Sequence, residues 1–210
     1  MKINMDLNEE EFVEKYVKDD SLFYRFLRVI LRFIARILYR PKFYGKENIP
    51  AEGGVLLAGN HRAMADPVFV CLGTKRTVHY ISKKVVMESF IGRIIYWAGA
   101  IPTDPDSTNK NSYHAVQKTL SMGKAVGIFP EGTRNKTNEV LLPFRYGAVR
   151  LAQTTGAAIV PLAIVGGFKP FINPIKVYYG EPYTISLDSD TEEENQRLRQ
   201  KIADLYLEHQ

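Results

Sequence analysis

At 210 residues, with 45% hydrophobic and 24% charged content, the chain has room for one domain with a substantial core, which excludes a disordered or miniature protein. A net charge of +5 and a pI near 9.2 give a mild basic bias, suited to acidic lipid surfaces, phosphorylated small molecules or nucleic acid. Cys71 is the only cysteine, so no internal disulfide forms and a reducing compartment is expected.

The opening MKINMDLNEEEF is acidic and polar where a signal peptide needs an apolar stretch. Residues 6–18 are expected to form a short helix, capped by Asp6 or Asn8, with Phe12, Val13, Tyr16 and Val17 as its apolar edge. After Asp19-Asp20, Ser21 is placed to cap a second helix, LFYRFLRVILRFIARILYR (22–40), which Pro41 ends.

The charged residues of that helix are all arginines, Arg25, Arg28, Arg32, Arg36 and Arg40, and at about 100° per residue they fall in one stripe roughly 120° wide. The remaining arc of about 240° is apolar, broader than the stripe of an ordinary surface helix. Each arginine costs about 2.5–3.5 kcal/mol near a bilayer centre, so a spanning orientation is not expected. No run of eighteen uncharged apolar residues occurs anywhere in the sequence. The pattern predicts a helix in the membrane interface, with Arg25, Arg28, Arg32 and Arg36 on phosphate headgroups and the apolar arc on acyl chains; packing against its own domain or a second copy is the alternative.

Beyond Tyr44, short β-type runs alternate with helical ones. Strands are expected at 54–59, 77–82, 125–129, 158–164 and 175–180, and helices near 65–73, 84–98, 111–122, 146–155 and 190–209, with 102–112 as a loop. This predicts an α/β fold: a single domain with a central mixed β-sheet covered by helices (41–210), preceded by an N-terminal helical membrane-binding segment (1–40).

Four stretches carry candidate chemistry. GNHRAMADP (59–67) follows a buried strand and sets His61 five positions before Asp66, a spacing that allows a carboxylate to orient an imidazole as general base. IFPEGTRNK (128–136) runs from a strand into Glu131-Gly132-Thr133-Arg134, where glycine admits close backbone approach and arginine offers a planar fork for phosphate oxygens. Lys83 and Lys84 leave a strand end and can assist an anion. In VPLAIVG (160–166), Pro161 inside a strand implies an edge or a bulge beside a site. Nucleophile-elbow, zinc-helix and Walker A patterns are absent, Cys71 sits in an apolar helical setting, and His79, His114 and His209 stand apart from any acidic motif.

Taken together and in this order, NHRAMAD, GAIP, FPEGTR and VPLAIVG resemble the four motifs of the glycerolipid acyltransferase family, most closely its bacterial 1-acyl-sn-glycerol-3-phosphate acyltransferases; the resemblance spans roughly residues 43–185. It implies that His61 takes the proton of the acceptor hydroxyl, that Asp66 holds its tautomer, and that the alkoxide attacks an acyl thioester directly. It further implies that Arg134, with Gly132 and Thr133 and helped by Lys83, grips the acceptor phosphate. Glu131 is grouped with these residues and orders the loop, while Pro161 shapes the wall near the acyl group. Family members often end the second motif with an arginine where this chain has Pro105, so one cationic contact is either missing or supplied by Lys83, Lys84 or Arg145, which leaves the acceptor headgroup open.

The resemblance implies no metal and no cofactor, with acyl-carrier protein or CoA thioester as co-substrate. The implied partners are a lysophospholipid and the bilayer surface, at the cytoplasmic face of the cell membrane, peripheral or monotopic. Transfer to glycerol 3-phosphate or to another lysophospholipid, and a non-catalytic lipid-binding role, are the alternatives. A nucleic-acid partner is not expected, because basic residues interleave with aromatics only in residues 22–40, where the apolar content is too high.

Overall fold

The computed structural model describes residues 2–17, 21–89, 92–104, 110–167 and 169–210, so Pro105 lies outside the described residues. Seven strands form one mixed sheet: β1 (Lys42–Tyr44), β2 (Val55–Gly59), β3 (Val78–Lys83), β4 (Ile101–Thr103), β5 (Ala125–Ile128), β6 (Ala158–Val165) and β7 (Lys176–Tyr179). Their spatial order is β1-β7-β6-β2-β5-β3-β4. All neighbours pair parallel except β6 and β7. The helices are α1 (Glu9–Tyr16), α2 (Leu22–Leu38), α3 (Asp66–Gly73), α4 (Lys84–Met87), α5 (Gly92–Trp97), α6 (Asn111–Ser121), α7 (Gly147–Thr155) and α8 (Thr191–His209).

Strand β2 shows why the sheet is covered on both faces. Every residue of VLLAG is buried. Alternation sends Leu56 and Ala58 to one side, where they meet α1, α6, α7 and α8 through Phe12, Val116, Leu151 and Leu198, and sends Val55 and Leu57 to the other, where α2 and α3 supply Ala35, Phe69 and Leu72.

The expected strands and the four later helices are present to within a residue or two. Two further strands, β1 and β4, have three residues each, and β4 opens the stretch expected as loop. The helix expected at 84–98 is divided into α4 and α5, and α5 starts at Gly92, where a Cβ would lie 1.6 Å from the carbonyl oxygen of Met87 and only glycine fits. The internal proline does not mark an edge either. β6 is central, and Pro161 occurs where the β7 side of the ladder is interrupted, between the pairing of Leu162 with Tyr179 and that of Ile159 with Tyr183, so the missing N–H leaves no gap in the pairing.

The N-terminal segment is not a separate arm. Helix α1 begins with a capping box between Asn8 and Glu11 and buries Phe12 and Tyr16 in the core. Asn111 holds the approach to it by donating to the Leu7 carbonyl at 2.6 Å. Helix α2 is capped by Ser21 and lies on α3. Two of the arginines expected at headgroups turn to the domain instead: Arg28 donates to the carbonyls of Thr74 (3.0 Å) and Lys75 (2.8 Å), and Arg32 to Leu72 (3.1 Å). The cause is electrostatic: the carbonyl of Leu72 in the last turn of α3 and those of Thr74 and Lys75 just beyond it lie at the negative end of the helix dipole, and guanidinium donors satisfy them. Tyr24 reaches the same end, its hydroxyl accepting from Val78 N–H at 3.1 Å. The outer face keeps a broad apolar area beside the exposed Arg25 and Arg36: Leu22, Phe26, Val29 and Phe33 are each more than 60% exposed. None of the described helices is long and apolar enough to cross a membrane.

Candidate active site

Strand β2 ends at Gly59, and the next residues hold the imidazole. The buried side-chain amide of Asn60 extends the ladder to β6, donating to the Ile164 carbonyl (3.0 Å) and accepting from Ile164 N–H (2.7 Å). His61 follows, clamped at both backbone groups: its N–H donates to Glu131 Oε1 at 2.9 Å, and its carbonyl accepts from Asn135 N–H at 2.7 Å. Its ring stacks on Phe129 with centroids 4.3 Å apart and planes 16° from parallel. A histidine fixed at this many points has little freedom beyond its own ring torsion.

Asp66, the first residue of α3, is fully buried. Its Oδ2 accepts from His61 Nδ1 (2.8 Å), Arg62 N–H (2.7 Å) and Ala63 N–H (2.8 Å), so the carboxylate closes the loop and sets the imidazole tautomer together. With Nδ1 donating, Nε2 carries the lone pair. The His61 side chain keeps 19% of its surface accessible, enough to meet a substrate hydroxyl. This is the orienting arrangement that general-base catalysis by histidine requires.

Glu131, grouped by sequence with the phosphate-binding residues, is a buried strut. Its second oxygen accepts from Leu142 N–H at 2.9 Å, and burial raises its carboxyl above the usual range, partly offset by the hydrogen bonds from Leu142 and His61. An acidic group in that position would also repel an anion. The cations are differently placed. Gly132, Thr133 and Arg134 are exposed on the loop that continues to Asn135 and hence to His61. Gly132 has φ +66, and a Cβ there would lie 2.7 Å from Arg145 Nε, so a second guanidinium rides on the same loop. Lys83 ends β3 at the level of Pro130, given the pairing of Tyr80 with Gly127. Neither Lys83 nor Arg134 forms an ion pair with a carboxylate among the described residues.

The structure thus brings His61, Asp66, the EGTR loop and Lys83 to one edge, at the carboxyl ends of adjacent parallel strands, the usual location of ligand sites in such sheets. It does not bring Pro161 there: Pro161 pairs with Ala58, about 10 Å along the sheet from His61. A cavity of about 500 Å3 lined by Lys75, Arg76 and Lys124 opens at the opposite edge and takes no part in the site. Among the described residues no three His, Cys, Asp or Glu side chains converge as metal ligands. Sequence reasoning missed Asn60 and Asn135, whose signal was adjacency to His61 and Arg134. It also missed Arg62, which donates to the Glu139 carbonyl at 2.8 Å and lies over the Tyr206 ring.

A family model described as Acyltransferase matches residues 40–165, the span that contains every element of this edge. The chain belongs to the acyltransferase family. Among its relatives, the 1-acyl-sn-glycerol-3-phosphate acyltransferase of Bacillus subtilis is 33% identical over 145 residues, covering 68% of this chain and 71% of that protein. The protein of the same name from Helicobacter pylori is 26% identical over 166 residues, covering 75% and 70%. A crystal structure of the 1-acyl-sn-glycerophosphate acyltransferase of Thermotoga maritima superimposes with a TM-score of 0.66 at 20% identity, covering 93% of this chain and 77% of the other, a likeness of fold. In this acyltransferase the matched residues begin at Arg40, so α1 and α2 lie outside the family match and their placement rests on the packing described above.

Proposed function

We propose that this acyltransferase moves a fatty acyl group from an acyl thioester, carried by acyl-carrier protein or CoA, to the free hydroxyl of 1-acylglycerol 3-phosphate, giving phosphatidic acid. The observation that carries the reading is the 2.8 Å contact between His61 Nδ1 and Asp66 Oδ2 on a histidine whose backbone is bound to the EGTR loop. His61 Nε2 takes the hydroxyl proton as the oxygen attacks the thioester carbonyl. Collapse of the tetrahedral adduct expels the thiolate, and the imidazolium returns the proton to sulfur. Asp66 stabilises the imidazolium between these steps. No acyl-enzyme and no cofactor enter the scheme.

Arg134, Gly132 and Thr133 bind the acceptor phosphate from the loop, with Lys83 facing it from β3. A charge-assisted bidentate contact of this kind contributes roughly 1.5–3 kcal/mol. The acceptor is a bilayer lipid, and the exposed apolar face of α2 rests in the interface, with Arg25 and Arg36 among the headgroups of the cytoplasmic leaflet. Purified protein assayed against lysophosphatidic acid, glycerol 3-phosphate and neutral-headgroup lysolipids, with both donor types, tests the assignment. The highest kcat/KM is expected for lysophosphatidic acid, and preferential use of glycerol 3-phosphate or lysophosphatidylcholine would reassign the acceptor.

A further inference from the structure

The turn between β6 and β7 displays Phe171 at 64% and Ile172 at 62% exposure, and Phe171 does so at φ +67, in the left-handed region that L side chains avoid. The hydrophobic effect accounts for neither the exposure nor the strain if water is the only surrounding medium. The turn is also tied to the end of α2. Phe171 N–H donates to the Leu38 carbonyl at 2.7 Å, Ile175 N–H donates to Tyr39 at 3.1 Å, and Arg40 donates to the carbonyls of Phe171 (3.2 Å) and Ile172 (3.4 Å).

That end of α2 is the catalytic end. Tyr39 meets Phe69 of α3 edge-on at 5.5 Å, one turn beyond Asp66, and β6 leaves the sheet just past Ile164, the partner of Asn60. The charges tied to the turn are positive: Arg40 is bonded to its carbonyls, Lys169 lies within it, and no acidic residue occurs along the chain between Glu139 and Glu181. Apolar tips beside cations suit a surface with phosphates outside and acyl chains within.

We propose that Phe171 and Ile172 form a second insertion point in an anionic phospholipid bilayer, which sinks the catalytic end of α2. The inference rests on the reading of α2 as an interfacial helix. A helix lying on the bilayer is free to tilt about its length; a contact at one end fixes that tilt and holds the His61 edge at the depth of the acceptor.

The test uses the full chain, vesicles of phosphatidylcholine with phosphatidylglycerol, and the variants Phe171→Gly, Phe171→Asp and Phe26→Asp. Glycine relieves the left-handed strain, so Phe171→Gly keeps or raises the melting temperature while weakening vesicle binding by roughly tenfold, the scale of one aromatic side chain withdrawn from apolar surroundings. Turnover of vesicle-borne acceptor falls, and turnover of a monomeric short-chain acceptor does not. A lowered melting temperature with equal losses on both acceptors would assign Phe171 to folding and overturn the proposal. Loss of binding in Phe26→Asp beside wild-type binding in both Phe171 variants overturns it and leaves α2 as the sole contact. Wild-type vesicle binding in Phe26→Asp removes the reading of α2 as an interfacial helix, on which the proposal rests, and overturns it as stated. A dimer in vesicle-free solution that Phe171→Asp dissociates would give the face to a second copy, also against the proposal.

Discussion

Helices α1 and α2 stand near each other in the chain and treat their side chains in opposite ways. α1 follows the ordinary rule: Phe12 and Tyr16 are buried, while Glu9, Glu10 and Glu14 face water. α2 reverses it over part of its circumference, setting Arg28 and Arg32 against α3 and leaving Leu22, Phe26, Val29 and Phe33 outside. Arginine can go inward because backbone carbonyls wait there, and its apolar stem packs on the way. An apolar arc in a sequence therefore tells which surface avoids water, and not whether it meets the core or a lipid phase.

The contrast is broken most sharply by truncating one aromatic from each helix. Phe12→Ala should cost about 3–5 kcal/mol of stability, as for a fully buried ring. Phe26→Ala should change stability by no more than about 0.5 kcal/mol in vesicle-free buffer. Denaturant unfolding of both variants decides it, and equal costs would mean that the two helices are packed alike.

A smaller effect is expected at the latch. Arg28→Ala removes two charge-assisted hydrogen bonds and should cost roughly 1–2 kcal/mol, discounted for its partial exposure, whereas Arg36→Ala, at an exposed position, should cost close to nothing. The same unfolding curves report it; a larger cost at Arg36 would place the latch elsewhere.

The smallest effect is a chemical one. Cys71 lies on α3 beneath Tyr24, and burial pushes its thiol up to about 11. At pH 8 only about one molecule in a thousand then carries the thiolate, so alkylation of the native protein should be slow. Arg28→Ala, by loosening α2, should speed it severalfold. A native rate equal to that of the unfolded chain would show that α2 does not cover this face.

Much of the site was legible because it lies in contiguous motifs at strand ends. His61, Asp66 and the EGTR loop each follow an apolar run, and β2 and β5 deliver them to one edge. The family match, residues 40–165, includes the same stretches. Strands of three residues left no periodicity to read, which hid β1 and β4. The loop-ordering role of Glu131 follows from its motif, but those of Asn60 and Asn135 were hidden for a different reason: each bonds a backbone group distant in sequence, and backbone partners leave no residue type to recognise. The inward turn of Arg28 and Arg32 depended on where α3 ends relative to α2, a tertiary relation that helical spacing does not contain.

The central claim is that His61 is the base, and its direct measurement is the steady-state turnover of lysophosphatidic acid by His61→Ala and Asp66→Asn, each shown folded by circular dichroism. Asp66→Asn should lose on the order of 10²–10⁴ in kcat by disturbing the tautomer and the imidazolium, and His61→Ala should lose at least as much. A folded His61→Ala that keeps more than about a tenth of the wild-type rate, above the contribution of a general base, would contradict the account.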